Sequence, residues 1–133
     1  MKRFSFKLQS LLNYKGYLER LARQETAKAR MDIVDCDKQI ARLKQQLAAS
    51  GKQMDNKMRK GICAGEFKQH QDFLSATQTG MEEEKNRKHH LEKIWEEKQI
   101  LLKKRSVEKK SMDHLREKQA REYAPGRGAT STS

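Results

Sequence analysis

The side chains that could bind a metal or act as nucleophiles are few and widely spaced along this chain. They are two cysteines and four histidines: Cys36, Cys63, His70, His89, His90 and His114. The neighbouring His89 and His90 point in different directions on a helix, so they do not form a ligand pair. Cys36 and Cys63 would be about 40 Å apart along one helix, which excludes a disulfide within the chain. No phosphate-binding loop, HExxH or CxxC motif occurs. We therefore predict no catalytic site, no metal site and no cofactor, and reduced thiols of the kind usual in the cytoplasm.

Two long helical arms carry these residues. From Met1 to Ala124 there is no proline, and apolar residues recur every three or four positions. The rhythm breaks once, at KMRKGICAGEF, where Gly61 can adopt the left-handed conformation that ends a helix. We therefore predict an all-α fold, a long antiparallel two-helix coiled-coil hairpin over residues 1–123. Arm 1 covers about 6–58, the turn 59–65 and arm 2 about 66–122, followed by a disordered tail over 124–133.

The apolar rows predict which residues lie in the seam between the arms. Folding at about residue 62 sets residue i opposite roughly 124 − i, so that Leu12 faces Met112 and Leu43 faces Met81. Two consecutive steps of four around Ala22 predict a stutter, which locally unwinds the supercoil. The predicted seam of arm 1 is Phe4, Leu8, Leu11, Lys15, Leu18, Ala22, Thr26, Ala29, Ile33, Cys36, Ile40, Leu43, Leu47, Ser50 and Met54. That of arm 2 includes Phe67, His70, Leu74, Thr77, Met81, Leu91, Trp95, Leu102 and Met112, with interruptions at Glu84, Lys88, Lys98 and Arg105.

Composition supports this architecture and leaves two alternatives. The chain has 133 residues, of which 35% are hydrophobic and 36% are charged, a usage typical of coiled coils. Disorder is the competing interpretation for so polar a chain. A single continuous helix that dimerises in parallel is the competing architecture, but Gly61 and Gly65 would weaken such a helix. No stretch approaches the roughly 20 apolar residues that a membrane span needs.

The charge is strongly positive and concentrated in the first arm. The formal net charge is +12, and residues 1–60 contain 15 Lys and Arg against 6 Asp and Glu. Such a surface attracts an acidic partner, which could be nucleic acid, lipid or protein. The basic residues are interspersed with acids, and aromatic platforms for bases are few, so we predict no specific nucleic-acid binding.

Surplus apolar residues at the start of the chain point to a partner site. The first 21 residues carry nine large apolar side chains: Phe4, Phe6, Leu8, Leu11, Leu12, Tyr14, Tyr17, Leu18 and Leu21. The opposing stretch, about 103–120, offers only Val107, Met112, Leu115 and Ala120 and cannot cover them. Uncovered apolar surface indicates a docking site, with self-association as the alternative. A second candidate is Phe73, which must point away from the seam if Leu74 points into it.

Three segments resemble a known family. The opening MKRFSFKLQSLLNYKGYLE, the region GICAGEFKQHQDFLSATQTGMEEE and the ending MDHLREKQAREY are similar, in that order, to the FliJ family of the bacterial flagellar type III export apparatus. The resemblance implies a non-enzymatic two-helix coiled coil, similar to the central stalk of rotary ATPases. It also implies a cytoplasmic location, peripheral to the inner membrane at the export apparatus.

The resemblance further implies three kinds of partner. They are the hexameric export ATPase FliI, whose ring receives the joined chain ends, the cytoplasmic domain of the export gate protein FlhA, and export chaperones. We expect the ring contact to include Phe4, Leu8, Leu11, Leu12, Tyr14, Arg20 and Arg23. By position, Gln39, Leu43 and Phe73 match the gate-binding surface. The alternatives are the stalk of a virulence-type (injectisome) secretion system and a basic nucleic-acid-associated coiled coil.

Overall fold

The computed structural model describes residues 2–123, which form two helices joined by a tight turn. Helix α1 runs Lys2–Lys60 and helix α2 runs Ala64–Tyr123. The helices pack antiparallel, so the predicted all-α coiled-coil hairpin is confirmed. Helix α1 begins four residues before the predicted arm, since residues 2–5 contain no glycine or proline to stop it. The tail predicted to be disordered, 124–133, lies outside the described residues.

The turn is built from one glycine and one cap. Gly61 has a φ of 89°, and its N–H donates to the carbonyl of Met58 at 3.3 Å, which ends α1. The carbonyl of Cys63 accepts the first hydrogen bond of α2, from the N–H of Phe67 at 3.2 Å. Cys63 is therefore the N-cap residue, and Glu66 stands at the third helical position, where a carboxylate favours the positive end of the helix.

Contacts between the helices divide the hairpin into two units, each with a stretch of α1 and the stretch of α2 packed against it. The terminal unit comprises residues 2–28 and 96–123, and the turn unit comprises residues 29–95. Lys15 bonds to Glu108 in the terminal unit, and Ser50 bonds to His70 in the turn unit. The numbers of each pair add up to nearly 124, so the predicted pairing register holds within each unit.

The turn unit has an apolar seam on the side of α1. Ile33, Cys36, Ile40 and Met54 are buried there, at the three- and four-residue steps of a heptad repeat. The opposing stretch of α2 is more polar, and Thr77 is its buried member. Phe67, which was predicted to lie in the seam, is instead 40% exposed, because it stands in the first turn of α2.

The terminal unit departs from the predicted seam. Leu12 is only 7% exposed whereas Leu11 is 43% exposed, and Phe4 is also exposed. The side chain of Glu19 is 12% exposed, which places it in the seam where Leu18 was predicted. The predicted stutter is therefore wrong, and the steps alternate regularly from Leu8 through Ala22. Lys109 on α2 supplies a partner for Glu19, at 3.8 Å between nitrogen and oxygen, and this makes the regular repeat possible.

Candidate docking surfaces

The outer surface of the terminal unit is rich in large apolar side chains. On α1 these are exposed at six positions: Phe4, Phe6, Leu11, Tyr14, Tyr17 and Leu21. On α2 the exposed set is Ile100, Val107 and Leu115. Helix α2 does not cover this part of α1, and its own seam positions hold Lys98, Arg105 and Lys109, which pair with acidic side chains.

The seven residues expected at the ATPase contact fall into two groups. Phe4, Leu11, Tyr14, Arg20 and Arg23 are exposed. Leu8 and Leu12 are buried between the helices, so they hold α1 against α2 and are not available at the surface. Leu8 also lines a shallow groove with Arg116 and Ala120, so the start of α1 lies beside the end of α2. The same unit also exposes large apolar side chains that were not in the expected set, among them Phe6, Tyr17 and Leu115.

Charges fill the middle of the seam in the terminal unit. Glu19 accepts a hydrogen bond from Arg23 at 2.6 Å and lies near Lys109. The bond from Arg23 is the main reason why the pKa of Glu19 is lowered, with a further contribution from Lys109. Glu108 accepts a hydrogen bond from Lys15 at 3.0 Å, and this bond is the main reason why its pKa is lowered too.

The two units also differ in net charge. The described residues of the terminal unit contain 16 Lys and Arg against 8 Asp and Glu. The turn unit contains 13 against 10. Positive charge together with exposed aromatic and aliphatic side chains therefore characterises the terminal unit.

The second surface lies on the turn unit around Phe73. Phe73 is 42% exposed while its neighbour Leu74 is half-buried, as the sequence predicted. Phe73 lines a shallow groove whose other wall comes from α1, with Gln46, Ala49 and Gln53. The groove is open and mainly polar on the α1 side, which leaves the aromatic ring as its main apolar feature.

Gln39 and Leu43 lie farther along the same stretch of α1. Both are half-buried, and the side-chain oxygen of Gln39 accepts a hydrogen bond from Arg42. Leu43 lies beside Gly80, where an added Cβ would be 3.9 Å from its Cδ1 atom. Gly80 is seven residues, or about 10 Å along α2, from Phe73. Leu43 and Phe73 therefore belong to the same unit but lie about two helical turns apart, and Leu43 does not line the groove around Phe73.

The residues with possible reactive chemistry are placed apart. Cys36 is buried, and its thiol donates to the carbonyl of Glu84 at 3.1 Å. Burial is the main reason why the pKa of Cys36 is raised, and Glu84 adds to it. Cys63 is exposed in the turn. Among residues 2–123, no three His, Cys, Asp or Glu side chains are grouped so as to hold a metal ion.

Comparison with known protein families identifies the family of this chain. Residues 4–125 match the family model described as flagellar FliJ protein. The chain belongs to the FliJ family. Searches of curated proteins and of solved structures gave no match. FliJ membership makes this chain a flagellar export-associated protein and supports the expected non-catalytic role. It also favours the flagellar interpretation over the injectisome and nucleic-acid alternatives. Within the described residues, neither helix has a segment long and apolar enough to cross a membrane.

Proposed function

We propose that this FliJ protein is a docking component that connects the export ATPase FliI to the export gate protein FlhA and escorts export chaperones on the cytoplasmic side of the inner membrane. The terminal unit enters the ATPase ring, and the surface around Phe73 binds the cytoplasmic domain of the gate. The observation that carries the proposal is the set of apolar side chains left exposed on a strongly basic terminal unit. FliJ membership supports the choice of partners at the level of the export apparatus.

The ring contact uses the exposed members of the predicted set. Leu11 and Tyr14 supply apolar area, and Arg20 supplies a positive charge for acidic residues on the ring. Leu8 and Leu12 act indirectly, because their burial fixes the rotation of α1 and so determines which side chains face outward. Aromatic and arginine side chains are the types that most often dominate the binding energy of protein interfaces.

The first experiment measures ATPase activity and ring retention. The purified export ATPase is assayed with and without this protein, and we expect higher activity and co-elution of the two. Leu11→Ala with Tyr14→Ala should weaken retention by roughly fivefold or more, the usual loss when interface anchors are truncated. Met31→Ala is the matched control, since Met31 is as exposed as Tyr14 but lies in the turn unit. Unchanged ATPase activity and no retention of the folded wild-type protein would refute the ring contact.

The second experiment tests the gate surface with a pair of phenylalanines. Phe73 and Phe67 have similar exposures, 42% and 40%, and both lie on α2 in the turn unit. Phe73→Ala should leave the helical content unchanged and weaken binding to the gate domain by about fivefold or more, whereas Phe67→Ala should not. Equal affinities for both variants and the wild type would remove Phe73 from the site.

A further inference from the structure

The terminal unit contains a second row of leucines beside its seam. If the seam positions are lettered a and d of a heptad, Leu12 is at a and Leu8 is at d. The neighbouring position g is then leucine twice on each helix: Leu11, Leu18, Leu101 and Leu115. Leu11 and Leu115 are exposed, and the other two are half-buried. A row rich in leucine thus lies along the edge of a seam that does not include it, interrupted by Glu25 on α1 and by Glu108 on α2.

The a positions of the same unit are poorly suited to a seam. Among the large side chains at these positions, Leu12 and Leu102 are apolar, whereas Glu19, Lys109 and Arg116 are charged. Glu19 and Lys109 satisfy each other across the seam at 3.8 Å. Taking such charges out of water costs free energy that their attraction only partly offsets. The observed seam is therefore weakened where Glu19 and Lys109 lie.

A seam built from positions d and g would exchange these two rows. It would gain four leucines, together with Glu25 and Glu108, and would move Glu19 and the half-buried Lys109 out of the seam. It would lose Leu12 and Leu102. It would retain the d residues, which include Leu8 and Met112 but also Lys15, Lys98 and Arg105. The exchange requires each helix to rotate about its axis by one heptad position, which is about 50°.

We propose that the terminal unit exchanges between the observed a/d seam and a d/g seam by this rotation of its two helices. The backbone hydrogen bonds of α1 and α2 are retained, so only side-chain contacts between the helices change. Two packings of similar stability that share the d residues form a two-state element of the kind that a partner can bias.

The turn unit cannot follow this exchange. Its g positions on α1 are Gln39, Gln46 and Gln53, whereas its a positions include Ile33 and Ile40. A d/g seam confined to the terminal unit needs one additional residue in the repeat of α1 between Ala22 and Ala29, which is a stutter. That local unwinding favours the a/d seam in the free protein and makes the d/g seam the minor state.

The exchange controls whether Leu11 is available at the surface. In the a/d seam Leu11 is exposed, and in the d/g seam it is covered by α2. The consequence for docking rests on the proposed function, because Leu11 belongs to the proposed ring contact. The exchange itself rests only on the two leucine rows and the charged a positions, so the two can fail separately.

Disulfide trapping distinguishes the two seams with one shared cysteine. In a Cys63→Ser background, Met112→Cys is combined with Leu12→Cys to report the a/d seam, or with Leu11→Cys to report the d/g seam. Native Cys36 is retained because it is buried and belongs to the turn unit. Asn13→Cys with Met112→Cys is the control, since Asn13 faces away from both seams. Cross-linked protein is quantified after mild oxidation and thiol blocking, and helical content is checked for each variant by circular dichroism.

We expect both the Leu12 and the Leu11 pairs to cross-link, the Leu12 pair faster, and the Asn13 pair about tenfold slower than either. Adding Glu19→Leu and Lys109→Leu removes two charges from the a row and should lower the Leu11 cross-linking rate by about fivefold or more, with the Leu12 rate unchanged. A Leu11 rate no higher than that of Asn13, or one that these substitutions do not alter, overturns the exchange. Loss of ring retention in the wild type, with the cross-linking pattern intact, would refute only the proposed docking.

Discussion

The terminal unit and the turn unit are built from the same two helices but place opposite chemistry in the seam. In the turn unit, successive seam positions of α1 hold Ile33, Cys36 and Ile40, all buried. In the terminal unit, the equivalent positions include Lys15 and Glu19, while large apolar side chains lie outside. Helix formation is equally regular in both, so the difference concerns only what the helices bury. The turn unit buries its apolar residues between the helices, and the terminal unit leaves many of its own exposed.

The largest effect is expected from truncating a core residue of the turn unit. Ile33 is 2% exposed, and Ile33→Ala should lower the free energy of unfolding by about 3 kcal/mol, because it removes buried methyl groups and leaves a cavity. Urea unfolding followed by circular dichroism measures this. Met31→Ala, two residues away and exposed, should change the value by no more than about 0.5 kcal/mol. Equal effects of the two substitutions would mean that the seam of the turn unit is not its stabilising core.

A substitution in the terminal seam should act in the opposite direction. Glu19→Leu with Lys109→Leu replaces a partly buried ion pair by apolar side chains at matching seam positions. We expect the free energy of unfolding to rise by about 1–2 kcal/mol, as for other buried ion pairs replaced in this way. Glu19→Leu alone should not stabilise, because it leaves Lys109 without its partner in the seam. Destabilisation by the double substitution would show that the charges contribute to the fold, and the contrast between the units would then lose its energetic basis.

Glycine substitutions sharpen the comparison between the turn and the helix interiors. Gly61 has a positive φ, and Gly61→Ala should destabilise by about 1 kcal/mol, because other residues rarely adopt that conformation. Gly51 lies within α1, and an added Cβ there has no atom within 4 Å. Gly51→Ala should therefore stabilise by about 0.5–1 kcal/mol. Thermal unfolding of both variants measures the two signs. A stabilising Gly61→Ala would mean that this glycine is not needed to end α1.

Much of the fold could be predicted because its signals are local. The proline-free periodicity and Gly61 determine two helices and a turn, and Phe73 follows from Leu74 at the next position. The sequence could not predict which face of each helix lies in the seam of the terminal unit, because Leu11 and Leu12 are adjacent leucines, as are Leu101 and Leu102. Either member of each pair fits an apolar row. The observed seam places Glu19 near Lys109 across the helices, and such a long-range contact is not encoded in the period of either helix.

Lowering the pH should destabilise the terminal unit through Glu19 and Glu108. This effect should be smaller than those of the substitutions above. The pKa values of Glu19 and Glu108 are lowered, chiefly by Arg23 and Lys15 respectively. A lowered pKa in the folded state means that the stabilisation is present above the unfolded value of about 4.5 and is lost as the pH falls through the lowered values. We expect the urea midpoint to fall between pH 6 and pH 3. Glu19→Gln with Glu108→Gln should reduce that fall, whereas Glu82→Gln, at an exposed position of the turn unit, should not.

The acid response also separates two explanations of the charged seam. If the carboxylates only tolerate burial, their replacement by glutamine changes only the pH dependence of the urea midpoint. If they hold the a/d seam in place, acidification of the wild type should increase the cross-linking of Leu11→Cys to Met112→Cys, because protonated Glu19 no longer attracts Lys109. That increase should be absent when Glu19 and Lys109 are both leucine. A Leu11 rate that does not depend on pH would indicate that the rotation of α1 is fixed by Leu8 and Leu12 alone.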